Sequence, residues 1–394
     1  MNLTEDEKIR IRVNVAMENL RMFGNDPTLP PASGNATKGF KITVKEYYDP
    51  AMTKLEFFEG TTNQAVEKYG NNCVALNFAN SSVVGGGYLK GSMAQEEELC
   101  RTIPLLYNSL GQLVTSRGKN GELFYNSKEF MNRPWDKKLP HNFDWEEDVF
   151  YSHNLNIVRY DYAQSIEKRL EPYTMLPFPI PISISTIAAP NLGFRNDQPK
   201  HPDVLKHFML HTKIVFYKIR SNLRRACLIP IQYSYEKKIK CPDTIILGAV
   251  GCGAFALPDT FKIKFGREIL NYREIIAIIV YETIKECRKF YKNIIMAIPT
   301  GNNFNTFMDI FQKCDNGILK EYFNQVPSLK SDKIPTILDY IPVNNAVVED
   351  RVLKRSHGGS NYKLNKYNTK MQLSNDPIKK NLYQQKINYY QSLI

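Results

Sequence analysis

The sequence has few of the features that mark membrane, secreted or metal-binding proteins. Its 394 residues contain no uninterrupted apolar run near the roughly 18 residues needed to span a membrane. The segment MNLTEDEKIR lacks the apolar core of a signal peptide. The seven cysteines are odd in number and form no C-x-x-C pair, which argues against disulfides and against zinc. We therefore expect a soluble, cytoplasmic protein with reduced thiols and no membrane partner.

Histidine is scarce as well, and its spacing gives little support to a metal site. His207 and His211 are four residues apart on a predicted helix, and His201 lies nearby. No cysteine or acidic residue stands in register with them, whereas a tetrahedral zinc site needs three or four ligands. We predict that these histidines lie on a solvated helix face, and we predict neither a metal nor a cofactor.

Acidic residues are outnumbered by basic ones, so that the formal net charge is +12 and a polyanionic partner is favoured. In residues 344–394, nine Lys and Arg face three acidic residues, a surplus of six that makes up half of the total. A second basic cluster lies on one predicted helix and comprises Lys213, Lys218, Arg220, Arg224 and Arg225. Such clusters also suit DNA, RNA or simple solubility.

The content of 43% hydrophobic and 12% aromatic residues is enough for a substantial core. We predict one domain over residues 1–343, with an N-terminal helical extension that starts at a capping box, Thr4 to Glu7, and ends near Phe23. Beyond residue 343 the apolar periodicity fades into Lys, Asn, Gln and Tyr. Residues 344–394 are therefore predicted to form a basic, low-complexity tail.

Apolar patterns predict strands alternating with helices. The predicted strands are 41–46, 54–58, 74–76, 154–160, 181–187, 244–247 and 293–298. The predicted helices are 4–23, 61–69, 95–110, 203–228, 274–287 and 303–313. Pro104 predicts a break near Ile103 in the third helix, and residues 163–179 are predicted to be an inserted surface excursion. The alternation predicts an α/β sheet covered on both faces.

The most informative stretch is Val74 to Leu110, which reads VALNFANSSVVGGGYLKGSMAQEEELCRTIPLLYNSL. A buried strand is followed by three glycines, seven further residues and then QEEE at the start of a helix. Glycines let a backbone approach a ligand closely with its amides free. Adjacent carboxylates suit general acid and base chemistry. Together these features indicate a phosphate-bearing ligand and acid/base catalysis.

The GGG-x7-QEE pattern, with NFAN before it and LCR after it, resembles the signature of the microbial-type poly(ADP-ribose) glycohydrolases, a branch of the macrodomain superfamily. Downstream, GAVGCGAFALPD at 248–259 is similar to the second ligand loop of that family. The stretch from Ile294 looks like its last strand and following helix. The resemblance implies a macrodomain-like, three-layer α/β/α fold with a mixed central sheet. It also implies hydrolysis of the ribose–ribose bonds of poly(ADP-ribose), without a cofactor.

The resemblance assigns roles to two groups of residues. It implies that Glu97 is the general acid and base and that Glu96 holds ribose hydroxyls. The substrate-binding residues that it implies are Asn80, Gly85, Gly86, Gly87, Gln95, Gly251, Cys252, Gly253, Ala254 and Phe255. The resemblance implies that both glycine loops bind the ribose and diphosphate and that the ring of Phe255 lies beside them. The implied partners are poly(ADP-ribose) or ADP-ribosylated proteins, bound by a monomer, with nucleic acid as a further partner of the basic tail.

Several alternatives stay open at this point. Glu98 competes with Glu97 for the acid role. A helix N-terminus lowers the pKa of a carboxyl group, whereas neighbouring carboxylates raise it. Cys252 lacks an activating partner and is disfavoured as a nucleophile, and Glu59 is a candidate for adenine contact. The protein could also be a hydrolase of mono-ADP-ribosylated proteins, a non-catalytic ADP-ribose-binding module or a nucleic-acid-binding protein.

Overall fold

The computed structural model describes residues 3–24, 50–70, 72–112, 114–117, 123–125, 149–195, 197–265, 268–319 and 384. The helices in these ranges are α1 Glu5–Phe23, α2 Thr62–Tyr69, α3 Gln95–Thr102, α4 Pro104–Gly111, α5 Tyr162–Glu167, α6 Pro202–Leu210, α7 Thr212–Lys237, α8 Tyr272–Cys287 and α9 Asn302–Asp315. The strands are β1 Lys54–Glu59, β2 Cys73–Ala79, β3 Val114–Arg117, β4 Leu123–Tyr125, β5 Phe150–Arg159, β6 Met175–Ala188, β7 Phe194–Arg195, β8 Gln198–Pro199, β9 Thr244–Leu247, β10 Lys262–Phe265, β11 Glu268–Asn271 and β12 Asn293–Ile298.

A six-stranded sheet forms the centre of the fold, with the order β1-β12-β9-β2-β6-β5. Its strands pair in parallel except for β5, which runs antiparallel to β6. The central strands β2 and β9 are buried along almost their whole length, as expected for a sheet covered on both faces. The predicted mixed α/β fold is confirmed.

Neighbouring residues of the edge strand β1 show how the helices divide between the two faces. Phe57 packs edge-on against Phe304 and Phe311 of α9, whereas Phe58 packs against Tyr69 of α2. Because successive side chains of a strand point to opposite faces, α9 and α2 cover opposite sides of the sheet. Helix α8 packs between α7 and α9, while α3 and α4 pack against β2 and β5, which gives three layers.

Two local signals in the sequence are confirmed. Thr4 caps α1 with both hydrogen bonds of a capping box, and Gly24 ends the helix. The predicted break lies at Ile103, whose φ of −125° and ψ of 73° separate α3 from α4, and Pro104 occupies the first turn of α4. At that position the missing N–H of proline costs no hydrogen bond.

One prediction about a longer segment is wrong, and another is incomplete. The helix predicted over 203–228 is two helices, α6 and α7, which meet at His211, and the Thr212 hydroxyl donates to the Phe208 carbonyl at 2.7 Å. Residues 163–179 lie largely at the surface, as predicted, but they also contain α5, which Asp161 caps with a capping box, and the start of β6 at Met175.

Other predictions lie outside the described residues, namely the strand over 41–46 and the tail 344–394. The domain boundary at residue 343 therefore stays a prediction. In the basic helix α7, Arg220 and Arg224 both pair with Glu286 of α8, so part of the charge expected to meet a polyanion is neutralised within the fold. Across the ranges that the structure describes, no helix has the length and apolar character that a membrane crossing requires.

Candidate functional site

The site lies where the central sheet splits. Strands β2 and β9 pair only from Cys73 to Ala75 with Thr244 to Ile246, so the remainder of β2 has no neighbour on that side. Ligands of open α/β sheets bind in such crevices beyond the carboxyl ends of the strands. A cavity of about 630 Å³ opens here. Its walls are the first turns of α2, α3, α5 and α9, the loop after β9 and the end of β12.

Gln95 closes the unpaired edge of β2 with its side-chain amide. Its Oε1 accepts from the Phe78 N–H at 2.9 Å, and its Nε2 donates to the Leu76 carbonyl at 2.6 Å. The carboxamide thus takes the place of a neighbouring strand, and leaving these two backbone groups unpaired would cost about 1–3 kcal/mol each. Gln95 therefore fixes the start of α3 to the sheet. Its predicted contact with substrate stays a prediction.

The glycine loop after β2 turns its amides toward the carboxylates of α3. Asn80 and Gly85 donate from their backbone N–H groups to Glu96, at 2.7 and 3.2 Å. Gly87 donates to Oε1 of Glu97 at 2.8 Å, while Gly86 donates to the Val83 carbonyl at 3.0 Å. All three glycine amides are therefore used within the protein. That Gly85, Gly86 and Gly87 also contact ribose and diphosphate stays a prediction.

Gly86 is the closest of the three to both carboxylates. Its φ of +53° is a left-handed conformation that favours glycine. A Cβ atom built on it would lie 2.7 Å from Oε1 of Glu97 and 3.2 Å from Oε2 of Glu96. The backbone thus packs directly against the paired carboxylates, and no side chain fits between them.

Glu96 and Glu97 are both buried, with 3% and 8% of their surface exposed. Burial raises the pKa of Glu96 well above its usual range, and the charge of Glu97 raises it further, while the amides of Asn80 and Gly85 act in the opposite direction. Of the opposing effects weighed from the sequence, burial and like charge prevail at Glu96 over its position at a helix N-terminus.

The third carboxylate, Glu98, points to different partners. Its Oε1 accepts from the Tyr173 hydroxyl at 2.6 Å and from Nη1 of Arg101 at 3.0 Å. Burial raises the pKa of Glu98, and Arg101 counteracts this. Because Glu98 is engaged with a cation and a phenol, Glu97 is the one that shares the glycine loop with Glu96. The geometry favours the register predicted from the spacing.

The second glycine loop lies across the cavity and offers unused amides. Gly251, Gly253, Ala254 and Phe255 line the cavity. Their backbone N–H groups have no acceptor within the described residues. Cys252 is buried behind them, and burial raises the pKa of its thiol, which does not suit a nucleophile. Backbone amides without a protein acceptor in a cavity wall form a potential anion site.

The second loop is held in place from behind. The Cys252 carbonyl accepts from Nε of Arg273 at 3.3 Å and from Nδ2 of Asn303 at 3.2 Å. Gly251 has a φ of +69°, and a Cβ there would lie 2.8 Å from Cβ of Ala189. Gly253 by contrast faces open space, with no atom within 4 Å of a Cβ built on it. The loop is therefore rigidly supported and approachable from the cavity.

Of the remaining residues considered from the sequence, some lie in the site and others lie outside it. Asn80 lines the cavity, and its Oδ1 accepts from the Ser82 and Val83 amides at 2.8 and 3.0 Å. Glu59 ends β1 on the surface. The rings of His207 and His211 lie 4.7 Å apart on partly buried positions. In the described ranges, no three His, Cys, Asp or Glu side chains converge as a metal site would require.

Sequence reasoning missed one part of the cavity wall, which is formed by Asp161 and Tyr162 at the start of α5. Asp161 is 3% exposed and accepts a 2.5 Å hydrogen bond from the Thr61 hydroxyl at the start of α2. The sequence did contain a local signal for the start of α5, since Asp161 and Gln164 have the spacing of a capping box. The contact with Thr61 joins residues 100 positions apart and has no local signature.

Comparison with known proteins supports the family resemblance seen in the stretch from Val74 to Leu110. The model of the microbial-type PARG catalytic domain, where PARG is poly(ADP-ribose) glycohydrolase, matches residues 2–135. This match confirms the resemblance predicted from GGG-x7-QEE, which lies within those residues. No curated protein matches the chain.

Solved structures of the same enzyme from two bacteria are similar to this chain. PARG from Thermomonospora curvata bound to the inhibitor ADP-HPD has 18% identity and a TM-score of 0.43, over 77% of this chain and 99% of that one. PARG from Deinococcus radiodurans in complex with ADP-ribose has 18% identity and a TM-score of 0.44, over 80% of this chain and 94% of that one.

Proposed function

From the match of residues 2–135 to the microbial-type PARG catalytic domain, we propose that this chain hydrolyses the ribose–ribose O-glycosidic bonds of poly(ADP-ribose) and releases ADP-ribose. The fold would be that of a macrodomain, acting as a monomer in the cytoplasm. The substrate would be the polymer or an ADP-ribosylated protein. The basic tail adds nucleic acid as a possible further partner.

The observation that carries the proposal is the pair of buried carboxyl groups at the split of the sheet. Glu96 accepts from two backbone amides, so both of its oxygens are engaged. Glu97 accepts from Gly87 through Oε1, and no described residue donates to its Oε2. Since Glu97 lines the cavity, it has an oxygen available for a bound molecule. This asymmetry supports Glu97 as the acid and base and Glu96 as the anchor.

The chemistry follows from these two roles. The carboxyl group of Glu97 would donate its proton to the departing ribose oxygen as the glycosidic bond breaks and positive charge develops at the anomeric carbon. It would then take a proton from the incoming water. Glu96 would hold ribose hydroxyl groups beside the breaking bond. Carboxylates fixed by backbone amides before the substrate arrives need little reorganisation during the reaction.

The second loop would bind the diphosphate. Gly251, Gly253, Ala254 and Phe255 line the cavity, and their N–H groups have no acceptor within the described residues. Backbone amides arranged around a concave wall bind phosphate oxygens without a metal ion. The predicted role of Phe255, a ring beside the ribose and diphosphate, is compatible with its place in the lining.

The first test compares Glu97→Gln with Glu98→Gln, two changes of equal size on neighbouring positions. We expect Glu97→Gln to lower polymer hydrolysis by a factor on the order of 10² or more, the range for losing an acid/base group. Calorimetric titration should show ADP-ribose affinity within about tenfold of wild type. Glu98→Gln should retain turnover. Loss of turnover in Glu98→Gln alone would assign the acid role to Glu98, and equal loss of binding and turnover would make Glu97 an anchor.

The second test separates the polymer from single ADP-ribose groups on proteins. Turnover of chains of defined length, measured beside turnover of a mono-ADP-ribosylated protein, reports which bond is cleaved. We expect release of ADP-ribose from the polymer. Turnover of the mono-ADP-ribosylated protein alone would identify a hydrolase of mono-ADP-ribosylated proteins. Binding without turnover of either substrate would identify a non-catalytic ADP-ribose-binding module.

A further inference from the structure

Arg101 is a fully buried cation one helical turn beyond the paired carboxylates. Its side chain is 0% exposed, and its guanidinium group makes four hydrogen bonds. Nη1 donates to Glu98 at 3.0 Å, and Nε donates to the Arg12 carbonyl of α1 at 3.4 Å. Nη2 donates to two carbonyls of the loop 87–92, that of Ser92 at 2.6 Å and that of Tyr88 at 3.4 Å. We propose, resting on the proposed function, that Arg101 is a positioning residue that sets the place of Glu97 through the loop 87–92.

Three consecutive hydrogen bonds join Arg101 to Glu97. Arg101 holds the Ser92 carbonyl, the Ser92 N–H donates to the Gly87 carbonyl at 3.1 Å, and the Gly87 N–H donates to Oε1 of Glu97 at 2.8 Å. We call these bonds the Arg101 relay. A Cβ on Gly87 would lie 2.1 Å from Oγ of Ser92, so the two strands of the loop are in direct contact. A shift of Ser92 therefore moves the amide that holds Glu97.

The surroundings of Arg101 fix its guanidinium plane. Its Cζ lies 5.9 Å from the ring centre of Tyr88 and 5.8 Å from that of Tyr173. Asn19 of α1 donates to the Arg101 carbonyl at 2.9 Å. A buried cation is costly unless it is paired, and Glu98 supplies the opposite charge. This gives the third carboxylate of QEEE a role, which is to neutralise Arg101.

The planar fork of arginine is what the relay requires. The guanidinium group reaches Glu98, Ser92 and Arg12 at once because its N–H groups point in fixed, diverging directions. A lysine ammonium keeps the positive charge but cannot hold the same directions at the same time. Arg101→Lys thus separates charge from geometry.

The experiment measures kcat, KM and ADP-ribose affinity for Arg101→Lys in the wild-type and in the Glu97→Gln background, below the melting temperature of each variant. We expect kcat to fall at least about tenfold in the wild-type background, since a misplacement of about 1 Å costs up to 10²-fold. Affinity should stay within about threefold. In the Glu97→Gln background the same change should alter the residual rate less than about twofold, because sites that act through each other are not additive.

Ser92→Pro tests the middle bond of the relay and leaves the side chains of Arg101, Glu98 and Glu97 unchanged. Ser92 is exposed, and proline removes the N–H that donates to Gly87. We expect the same loss of kcat and the same dependence on Glu97. Equal losses of kcat in both backgrounds, or normal turnover in Ser92→Pro, would overturn the relay. Absence of polymer hydrolysis in the wild-type protein would instead refute the proposed function.

Discussion

Replacing Gly86 by alanine perturbs the paired carboxylates more directly than any other small change in the loop. The added Cβ would lie 2.7 Å from Oε1 of Glu97 and 3.2 Å from Oε2 of Glu96. Ordinary contacts of a Cβ atom begin at 3.4 Å, so Glu97 would have to move by several tenths of an ångström. That movement would break the hydrogen bond from the Gly87 amide.

The magnitude follows from two contributions. A residue other than glycine in the left-handed conformation costs about 1–2 kcal/mol, and Gly86 has a φ of +53°. A typical hydrogen bond contributes about 0.5–1.5 kcal/mol. We therefore expect a loss of a few kcal/mol in unfolding free energy. Displacement of the acid should lower turnover by about 10²-fold, and ADP-ribose affinity should fall by at least about tenfold, or 1.4 kcal/mol.

Gly70→Ala is a control for Gly86→Ala at a positive φ away from the site. Gly70 has a φ of +79° and a ψ of −156°, and no atom of the described residues lies within 4 Å of a Cβ built there. The change therefore strains the backbone without touching the site, and it should lower stability but keep turnover. The assay combines melting curves, calorimetric titration of ADP-ribose and initial rates of polymer hydrolysis. Normal turnover in folded Gly86→Ala would refute the reasoning, as would an equal loss of turnover in Gly70→Ala.

Two further predictions concern the second loop and the buried acid. Gly253→Ala should leave the melting temperature unchanged, since its Cβ meets open space, but it should weaken ADP-ribose at least about tenfold in a calorimetric titration. Unchanged affinity would remove this loop from the diphosphate. The second concerns Glu96, whose pKa burial raises above 4.5 in the folded protein. Because the folded state favours the protonated form of Glu96, this group contributes to the unfolding free energy below pH 4.5, and that contribution is lost as pH rises through the folded pKa. The melting temperature of wild type should therefore fall relative to Glu96→Gln as pH rises from 4.5, and parallel curves would contradict this.

Local patterns predicted the parts of the site that lie close together in the chain. The strand β2, the glycines and the start of α3 fall within residues 73–102, where periodicity, turn chemistry and helix capping all apply. The break at Ile103 follows from the backbone of Pro104 alone. The family resemblance predicted that Glu96 and Glu97 act together with the glycine loop. It could do so because the pattern that carries it, three glycines and QEE separated by seven residues, is itself local.

Contacts between distant residues could not be predicted in this way. Glu98 meets Tyr173 across 75 positions, and Asp161 meets Thr61 across 100. Each depends on how α5 and β6 return to the body of the domain, which no short pattern encodes. The predicted surface excursion over 163–179 lacked α5 and the start of β6 for this reason. Sequence gives Glu97 and Glu98 the same chemistry. The structure adds that Glu98 contacts Arg101 and Tyr173, while the choice of Glu97 as the acid stays a prediction.

The two glycine loops look alike in sequence, and both were predicted to bind the ribose and diphosphate, yet the structure gives their amides different partners. Gly85 and Gly87 donate to carboxylates of the protein itself, whereas Gly251 and Gly253 have amides without an acceptor in the described residues. The amides of the first loop are already occupied by the protein, while those of the second loop leave N–H dipoles in the cavity wall for an anion. We therefore propose that the first loop positions Glu97 and that the second loop binds the phosphates.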